Sequence, residues 1–376
     1  MVDAPVQRRI AVFTGSRAEY GLMRQLIAGI DAEPSLSLQL IVSGSHLSAN
    51  HGGTLAEIEA DGHSAAALVP LSLDQKPPHS MAALSAEALT GIAQALERLQ
   101  PERLILLGDR YEAFAAAAAA HLLGITVVHL HGGETTEGAV DDRLRHAITQ
   151  LSTWHFTAAE PYRQRVIAMG HSPEQVFNVG PMVLDGLLVE PDSDRETFEK
   201  STGFRFGKRN LLVTYHPETL LADSGMAGFE ALLGALAENR CHVLFTHPNA
   251  DAGSDQLLAR LQAFVQQHPQ TCWSVASLGQ RRYIAALQIF EAMAGNSSSG
   301  VIEAPLMGIP VLNIGNRQAG RLRHGFVVDV VAESDALAVG LQRVLDAGAR
   351  TNWPRPRPKI KTTPSSKILN WLRTKN

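Results

Sequence analysis

The sequence predicts an α/β protein made of two Rossmann-like domains facing a cleft, and three observations carry that expectation. Short apolar β-rich runs alternate with amphipathic stretches along most of the 376 residues, which is the pattern of βαβ units on a parallel sheet. The alternation falls into two series separated by one polar segment. At ~150 residues per domain, the length suits two or three domains that each bury their own core.

The first series places strands at Arg9–Thr14, Leu38–Ser43, Arg103–Leu107, Thr126–Leu130 and Trp154–Thr157, with helical periodicity between them at Ala18–Ala32 and Met81–Leu99. The apolar stretch Ala113–Leu130 is interrupted by His121 and Gly124 and falls short of a ~20-residue bilayer span, so it reads as an Ala-rich buried helix followed by a strand. The polar segment Glu190–Arg209, rich in charge, Ser and Gly, is the expected linker. A second series follows, with strands at Asn210–Tyr215, His242–Thr246, Ala292–Ala294, Val311–Ile314 and Val327–Val331. After the Pro-rich basic stretch Asn352–Lys361, a semi-rigid connector, comes a short amphipathic segment, Ser366–Arg373. The expected division is therefore residues 1–189, residues 190–361, and a terminal helix in 362–376 that docks back on the body.

Apolar residues make up 45% and charged residues 19%, values of a soluble globular protein rather than a disordered or fibrous one. A net charge of -4 and a pI near 6.4 give no footprint for nucleic acid as a partner, so an anionic ligand must be held by a local site. Cys241 and Cys272 are too few for a disulfide scaffold and lack metal-ligand spacing. The opening MVDAPVQRRI has no apolar core of a secretory signal, so a cytoplasmic chain with no membrane partner is expected.

Chemistry-bearing motifs sit at the ends of the expected strands, where doubly wound sheets bind ligands. TGSRAEYG, Thr14–Gly21, joins the first strand to a helix whose free N–H groups and positive dipole end suit an anion, with Arg17 as a planar donor fork. The same residues also suit a plain helix cap with an exposed Arg. LLGDRYE sets Asp109 beside Arg110, fitting either an acid/base carboxylate next to a charge-stabilising cation or a cap for the next helix. HLHGGETTEGAVDDRLRH holds His131, Glu134, Asp141 and Asp142, candidates for paired acid and base work. The Gly pair there suggests close approach of the backbone to a ligand. His129 and His131 with nearby carboxylates raise a metal site as a rival, but no established ligand pattern completes it.

In the second series, His216 and Glu218 in TYHPET, and His247 in HPNADAGSD one βα unit later, occupy corresponding strand ends. GNSSSGVIEAPLMGIPVLNIGNRQAGR, Gly295–Arg321, reads as a Gly-Ser turn running into a helix at Gly300–Leu306, a cradle for phosphate with Glu303 one turn inside to accept from ribose hydroxyls.

In this order, TGSRAEYG, GDRYE, HGGETTEG, DDRLRHAIT, HPET, NADAGSD and GNSSSGVIEAP resemble the hydrolysing UDP-N-acetylglucosamine 2-epimerases of bacterial sialic-acid and legionaminic-acid synthesis, from about Arg9 to Asp346. The resemblance implies a GT-B-like fold, no metal or other cofactor, a nucleotide-sugar substrate, and a homodimer or homotetramer. It implies elimination of UDP to a glycal, then hydration to the free 2-epimer, such as N-acetylmannosamine. Carried over by motif, Arg17, Arg110, His216, Asn249, Ser297, Ser298, Glu303 and Arg317 hold the nucleotide and its diphosphate. Asp109 and Asp141 fall at acid/base positions, His216 joins the catalytic set, and a further acid/base role falls to Glu134 or, as the alternative, His131. Three readings stay open beside UDP-N-acetylglucosamine hydrolysis: the same reaction on UDP-2,4-diacetamido-2,4,6-trideoxyglucose or a GDP-linked donor, a glycosyltransferase of the same fold, and a nucleotide-sugar-binding regulator without turnover.

Overall fold

The computed structural model describes residues 7–48, 53–75, 80–135, 141–187, 194–218, 221–248, 253–323, 325–349 and 361–375. The chain divides into two compact units, one built from Met1–Glu134, Asp141–Gly186 and Ile360–Asn376, the other principally from Leu187–Lys359.

The first unit contains β1 (Arg8–Thr14), β2 (Leu36–Ser43), β3 (Ala65–Val69), β4 (Arg103–Leu107), β5 (Thr126–Leu130), β6 (Trp154–Thr157) and β7 (Val176–Asn178). They form one parallel sheet in the order β3-β2-β1-β4-β5-β6-β7. Because successive side chains leave a strand on opposite faces, near-continuous apolar runs feed two cores. Ile10, Val12, Ile105, Leu107, Val128 and Leu130 enter one core, while Ala11, Phe13, Leu104, Leu106 and Val127 enter the other. The Ala-rich stretch is a helix, Tyr111–Leu122, whose buried Ala113, Ala116, Ala117 and Ala120 keep it close to the second core. The last helix, Pro364–Thr374, packs on helix Arg17–Asp31 and sends Trp371 among Trp154, Phe156 and Phe177. Its final carbonyls, which have no intrahelical partner, accept from Arg8 and Arg103. At its other end Ser365 donates its backbone N–H and its hydroxyl to the buried Asp185.

The second unit contains β8 (Asn210–Thr214), β9 (His242–Thr246), β10 (Cys272–Val275), β11 (Ala292–Gly295), β12 (Val311–Ile314) and β13 (Val327–Val330) in a parallel sheet ordered β10-β9-β8-β11-β12-β13. Each sheet thus runs outward from its first strand one way and then the other. The direction reverses between β1 and β4, and again between β8 and β11, and such switch points are where open α/β sheets bind ligands.

Several local expectations change. Strands β3, β7 and β10 are present although no clear alternating run marks them. The polar segment read as a linker contains a helix, Arg195–Thr202, whose Phe198 is buried against Phe290. The helix expected at Gly300–Leu306 is two short turns, Ser298–Val301 and Glu303–Leu306. Pro305 accounts for the break, since it has no N–H for the carbonyl of Val301 four residues back and its ring crowds that carbonyl. Among the described residues no helix is long and apolar enough to cross a membrane.

Candidate active site

In the first unit the site begins where β4 and β5 end. Asp109 and Arg110 leave β4 half-buried, and the guanidinium of Arg145, from helix Asp141–Leu151, forms an ion pair with Asp109 and lies 3.6 Å from Asp142. Arg145 is only 2% exposed, so Asp109 is fixed by a cation that itself requires a buried partner. Asp141 opens the same helix and is half-buried. Arg110 donates to Glu112 at 3.2 and 3.4 Å. Arg17, the first residue of the helix Arg17–Asp31 that follows β1, donates to Glu57 at 3.1 Å.

Behind Arg110 lies a second carboxyl. Glu19 accepts the N–H of Gly15 at 2.7 Å, and burial followed by the charge of Glu112 raises its pKa from 4.5 to about 7. His46 is held between the hydroxyls of Thr14 and Thr54 at 3.0 and 2.7 Å, and burial lowers it to about 4, keeping it neutral.

The HLHGGE segment turns sharply at the end of β5. His131 has a φ of 65°, in the left-handed region, so it does not continue the strand alternation that would aim it beside His129. The Gly pair approaches the protein itself: a Cβ on Gly133 would lie 2.5 Å from the carbonyl oxygen of Tyr162. The two histidines take opposite tautomers. His129 Nε2 lies 2.9 Å from the carbonyl oxygen of Gly108, which can only accept, so Nε2 carries the proton; Nδ1 lies 3.2 Å from the Thr149 hydroxyl, which donates to the Arg145 carbonyl at 2.9 Å. Its pKa is lowered to about 4, chiefly by burial. His131 Nε2 accepts the backbone N–H of Met182 at 3.0 Å, which leaves Nδ1 as the protonated nitrogen, 3.0 Å from Oε1 of Glu134. Glu134 is 3% exposed. Among the described residues no group of three His, Cys, Asp or Glu side chains is placed to hold a metal.

In the second unit the site gathers where β8 and β11 end. Asn296 clamps the backbone of His216, accepting its N–H at 2.7 Å and donating to its carbonyl at 2.8 Å. The carbonyl of Asn296 in turn accepts from Arg317 at 3.2 Å and from Gln318 at 2.8 Å. Burial, then the Arg317 charge, holds the His216 imidazole well below its usual pKa, so the ring is neutral and presents one donor and one acceptor. Glu218 is raised by burial and receives a hydrogen bond from Tyr215 at 3.3 Å. Gly295 has a φ of 134°, and a Cβ there would meet the Thr214 carbonyl oxygen at 1.9 Å, so only glycine turns the chain into NSSSG.

Ser297 caps the first short turn, its hydroxyl accepting from Ser299 N–H at 3.4 Å, and Ser298 begins that turn, half-buried. Glu303 is raised to about 7 by burial, partly offset by a hydrogen bond from the Tyr283 hydroxyl. His247, after β9, is half-buried and lowered by desolvation. Asn249 lies outside the described residues.

The structure thus places Asp109 and Arg110 after β4, His131 and Glu134 after β5 and Asp141 at the start of the next helix, while His216, Ser297 and Ser298 stand at the switch between β8 and β11, with Arg317 bonded to Asn296 there and Glu303 opening the second short turn. The sequence reading passes over Arg145, Asn296, Glu19, Glu112 and Tyr283. For Arg145 a signal existed: it stands three residues after Asp142 on one helix face.

The model of the family described as UDP-N-acetylglucosamine 2-epimerase matches residues 28–372. A Legionella pneumophila protein named UDP-N,N'-diacetylbacillosamine 2-epimerase (hydrolyzing) is 37% identical over 94% of this chain and 90% of that protein. A Campylobacter jejuni GDP/UDP-N,N'-diacetylbacillosamine 2-epimerase (hydrolyzing) is 34% identical over 86% of this chain and 84% of its own. The crystal structure of a Neisseria meningitidis UDP-GlcNAc 2-epimerase bound to UDP-GlcNAc shares the fold, with a TM-score of 0.80 over 98% of this chain and all of that one (100%) at 17% identity. By the extent of the family match and of these relatives, the chain belongs to the UDP-N-acetylglucosamine 2-epimerase family.

Proposed function

We propose that this UDP-sugar 2-epimerase is hydrolysing, and that it removes the C2 proton of a UDP-linked N-acetylhexosamine, expels UDP from C1, and returns water and a proton to the resulting glycal. One observation carries the reading: the first unit supplies two braced carboxylates, buried Glu134 against His131 and half-buried Asp109 against Arg145, at the ends of adjacent strands. A C2 proton next to an acetamido group needs a basic carboxylate, and return of a proton to the opposite face needs a second acid. Glu134 is assigned as the base, with Asp109 and Asp141 as the other acid/base groups. Departure of the diphosphate at neutral pH requires hydrogen-bond and cationic stabilisation, assigned to Arg317, neutral His216 and the Ser297–Ser298 turn of the second unit, with Arg17 and Arg110 from the first. Asn249 and Glu303 are assigned to the nucleotide. The balance is one nucleotide sugar and one water giving UDP and the free 2-epimer, with no metal or cofactor.

As substrate we favour UDP-N,N'-diacetylbacillosamine, a 2,4-diacetamido-2,4,6-trideoxy sugar, because two relatives at 37% and 34% identity carry its name. UDP-N-acetylglucosamine, giving N-acetylmannosamine, is the second reading, favoured by the description of the family model. We further propose a cytoplasmic homo-oligomer serving nonulosonic-acid synthesis.

The test is incubation with each nucleotide sugar alone in heavy water. UDP should appear without any acceptor, and the product should carry one deuterium at C2. UDP release only with an acceptor would make the protein a glycosyltransferase, and release without deuterium would mean direct hydrolysis at C1.

A further inference from the structure

His131 occupies a place that an acid/base residue would suit, yet both of its ring nitrogens are committed. The main-chain N–H of Met182 points at Nε2, 3.0 Å away, and a nitrogen accepting that bond carries no proton. The remaining N–H is therefore at Nδ1, which is in ion-pair contact with Glu134 Oε1 at 3.0 Å without the alignment of a hydrogen bond. The backbone at His131 is held in the left-handed region, and the carbonyl of Gly133 inside the same turn accepts from Arg165. Met182 is itself anchored. It directly precedes the short helix Val183–Gly186, whose Asp185 is bound by Ser365 of the terminal helix. Other titratable or charged groups around this turn are His129, His146, Arg145 and Arg165.

Resting on the assignment of Glu134 as base, we propose that His131 is a positioning residue: an imidazole whose tautomer is fixed by Met182 and whose protonated Nδ1 edge, 3.0 Å from Glu134 Oε1, orients that carboxylate by close polar contact without itself taking the substrate proton. For the ring to act as a base, it would have to use Nδ1, which is already protonated, or Nε2, which would have to break from Met182.

Two measurements decide this. In the first, kcat, KM, UDP affinity and the pH profile are compared for wild type, His131→Ala, His131→Asn and Glu134→Gln. Asn tolerates the left-handed backbone and keeps an N–H near the Nδ1 position. Loss of a polar contact bounded above by a hydrogen bond to a charged group predicts that His131→Ala loses up to roughly 10- to 100-fold in kcat with UDP affinity kept. The acidic limb of its profile should move to higher pH, because a polar N–H edge beside the ionised form favours it and its removal disfavours it. His131→Asn should recover much of both, and Glu134→Gln should lose more than His131→Ala. An unmoved acidic limb, or an active Glu134→Gln beside a dead His131→Ala, overturns the proposal.

The second measurement is histidine side-chain 15N NMR of the intact protein. A signal protonated at Nδ1 that vanishes in His131→Asn supports the proposal, and an Nε2-protonated signal for His131 overturns it. This readout holds even if wild type releases no UDP from any nucleotide sugar, a result that would defeat the assigned reaction and not the tautomer.

Discussion

The ends of β4 and β5 in one parallel sheet and the ends of β8 and β11 in the other present different electrostatic surroundings. In the first unit two carboxylates stand beside a brace, Asp109 against Arg145, which also lies 3.6 Å from Asp142, and Glu134 against His131. In the second unit the central histidine is kept neutral by burial and by Arg317, and the turn offers hydroxyls and N–H groups. The difference suits the proposed reaction, in which one unit would move protons and the other receive the departing diphosphate.

That division is broken most directly at the carboxylates. Glu134→Gln and Asp109→Asn keep side-chain shape while removing the titrating group, so each should lower turnover by roughly 10²–10⁴. UDP affinity, measured by calorimetry, should stay near wild type. A variant that keeps its turnover and loses UDP would move that residue to the nucleotide.

The reciprocal change is smaller. Arg317→Ala and Ser298→Ala in the second unit should weaken UDP binding by ~1–3 kcal/mol, the cost of a hydrogen bond to a charged group. Unchanged UDP affinity in both would remove the nucleotide from the second unit.

What the sequence showed of this arrangement follows from how local each signal is. β4, β5 and β9 are apolar runs flanked by breakers, and their limits are legible to the residue. β3 reads Ala-Ala-Ala-Leu-Val, a composition equally at home in a helix, and β7 has only three residues, too few to show a period of two. The motif residues were visible because they stand next to strand ends. Their braces were not: Arg145, 36 residues after Asp109, meets it only once its helix packs against helix Tyr111–Leu122 and β5, and Asn296 reaches His216 across 80 residues. The turn at His131 was hidden for another reason, since a positive φ at a non-glycine residue leaves no mark in composition.

The subtlest contrast lies between two buried carboxyls, one in each unit, both raised from 4.5 to about 7 chiefly by burial. Between those values the folded chain holds protons at Glu19 and Glu303 that the unfolded chain has released, so stability falls as pH rises. The stabilising contribution of each neutral carboxyl is full below 4.5 and gone as pH passes about 7. Glu19→Gln and Glu303→Gln should each flatten the decline in melting temperature between pH 5 and 8, because an amide has no proton to lose. Their ligand behaviour should differ. If ribose hydroxyls donate to Glu303, UDP binds best to its ionised form, and affinity should climb through pH 7 more steeply in wild type than in Glu303→Gln, where only the ionisation of UDP itself remains. Glu19→Gln should keep the wild-type climb, since Glu19 accepts from Gly15 beneath the first-unit turn and is not assigned to the nucleotide. Identical pH dependence of UDP binding in all three proteins would detach Glu303 from the ribose while leaving the stability argument for both carboxyls intact.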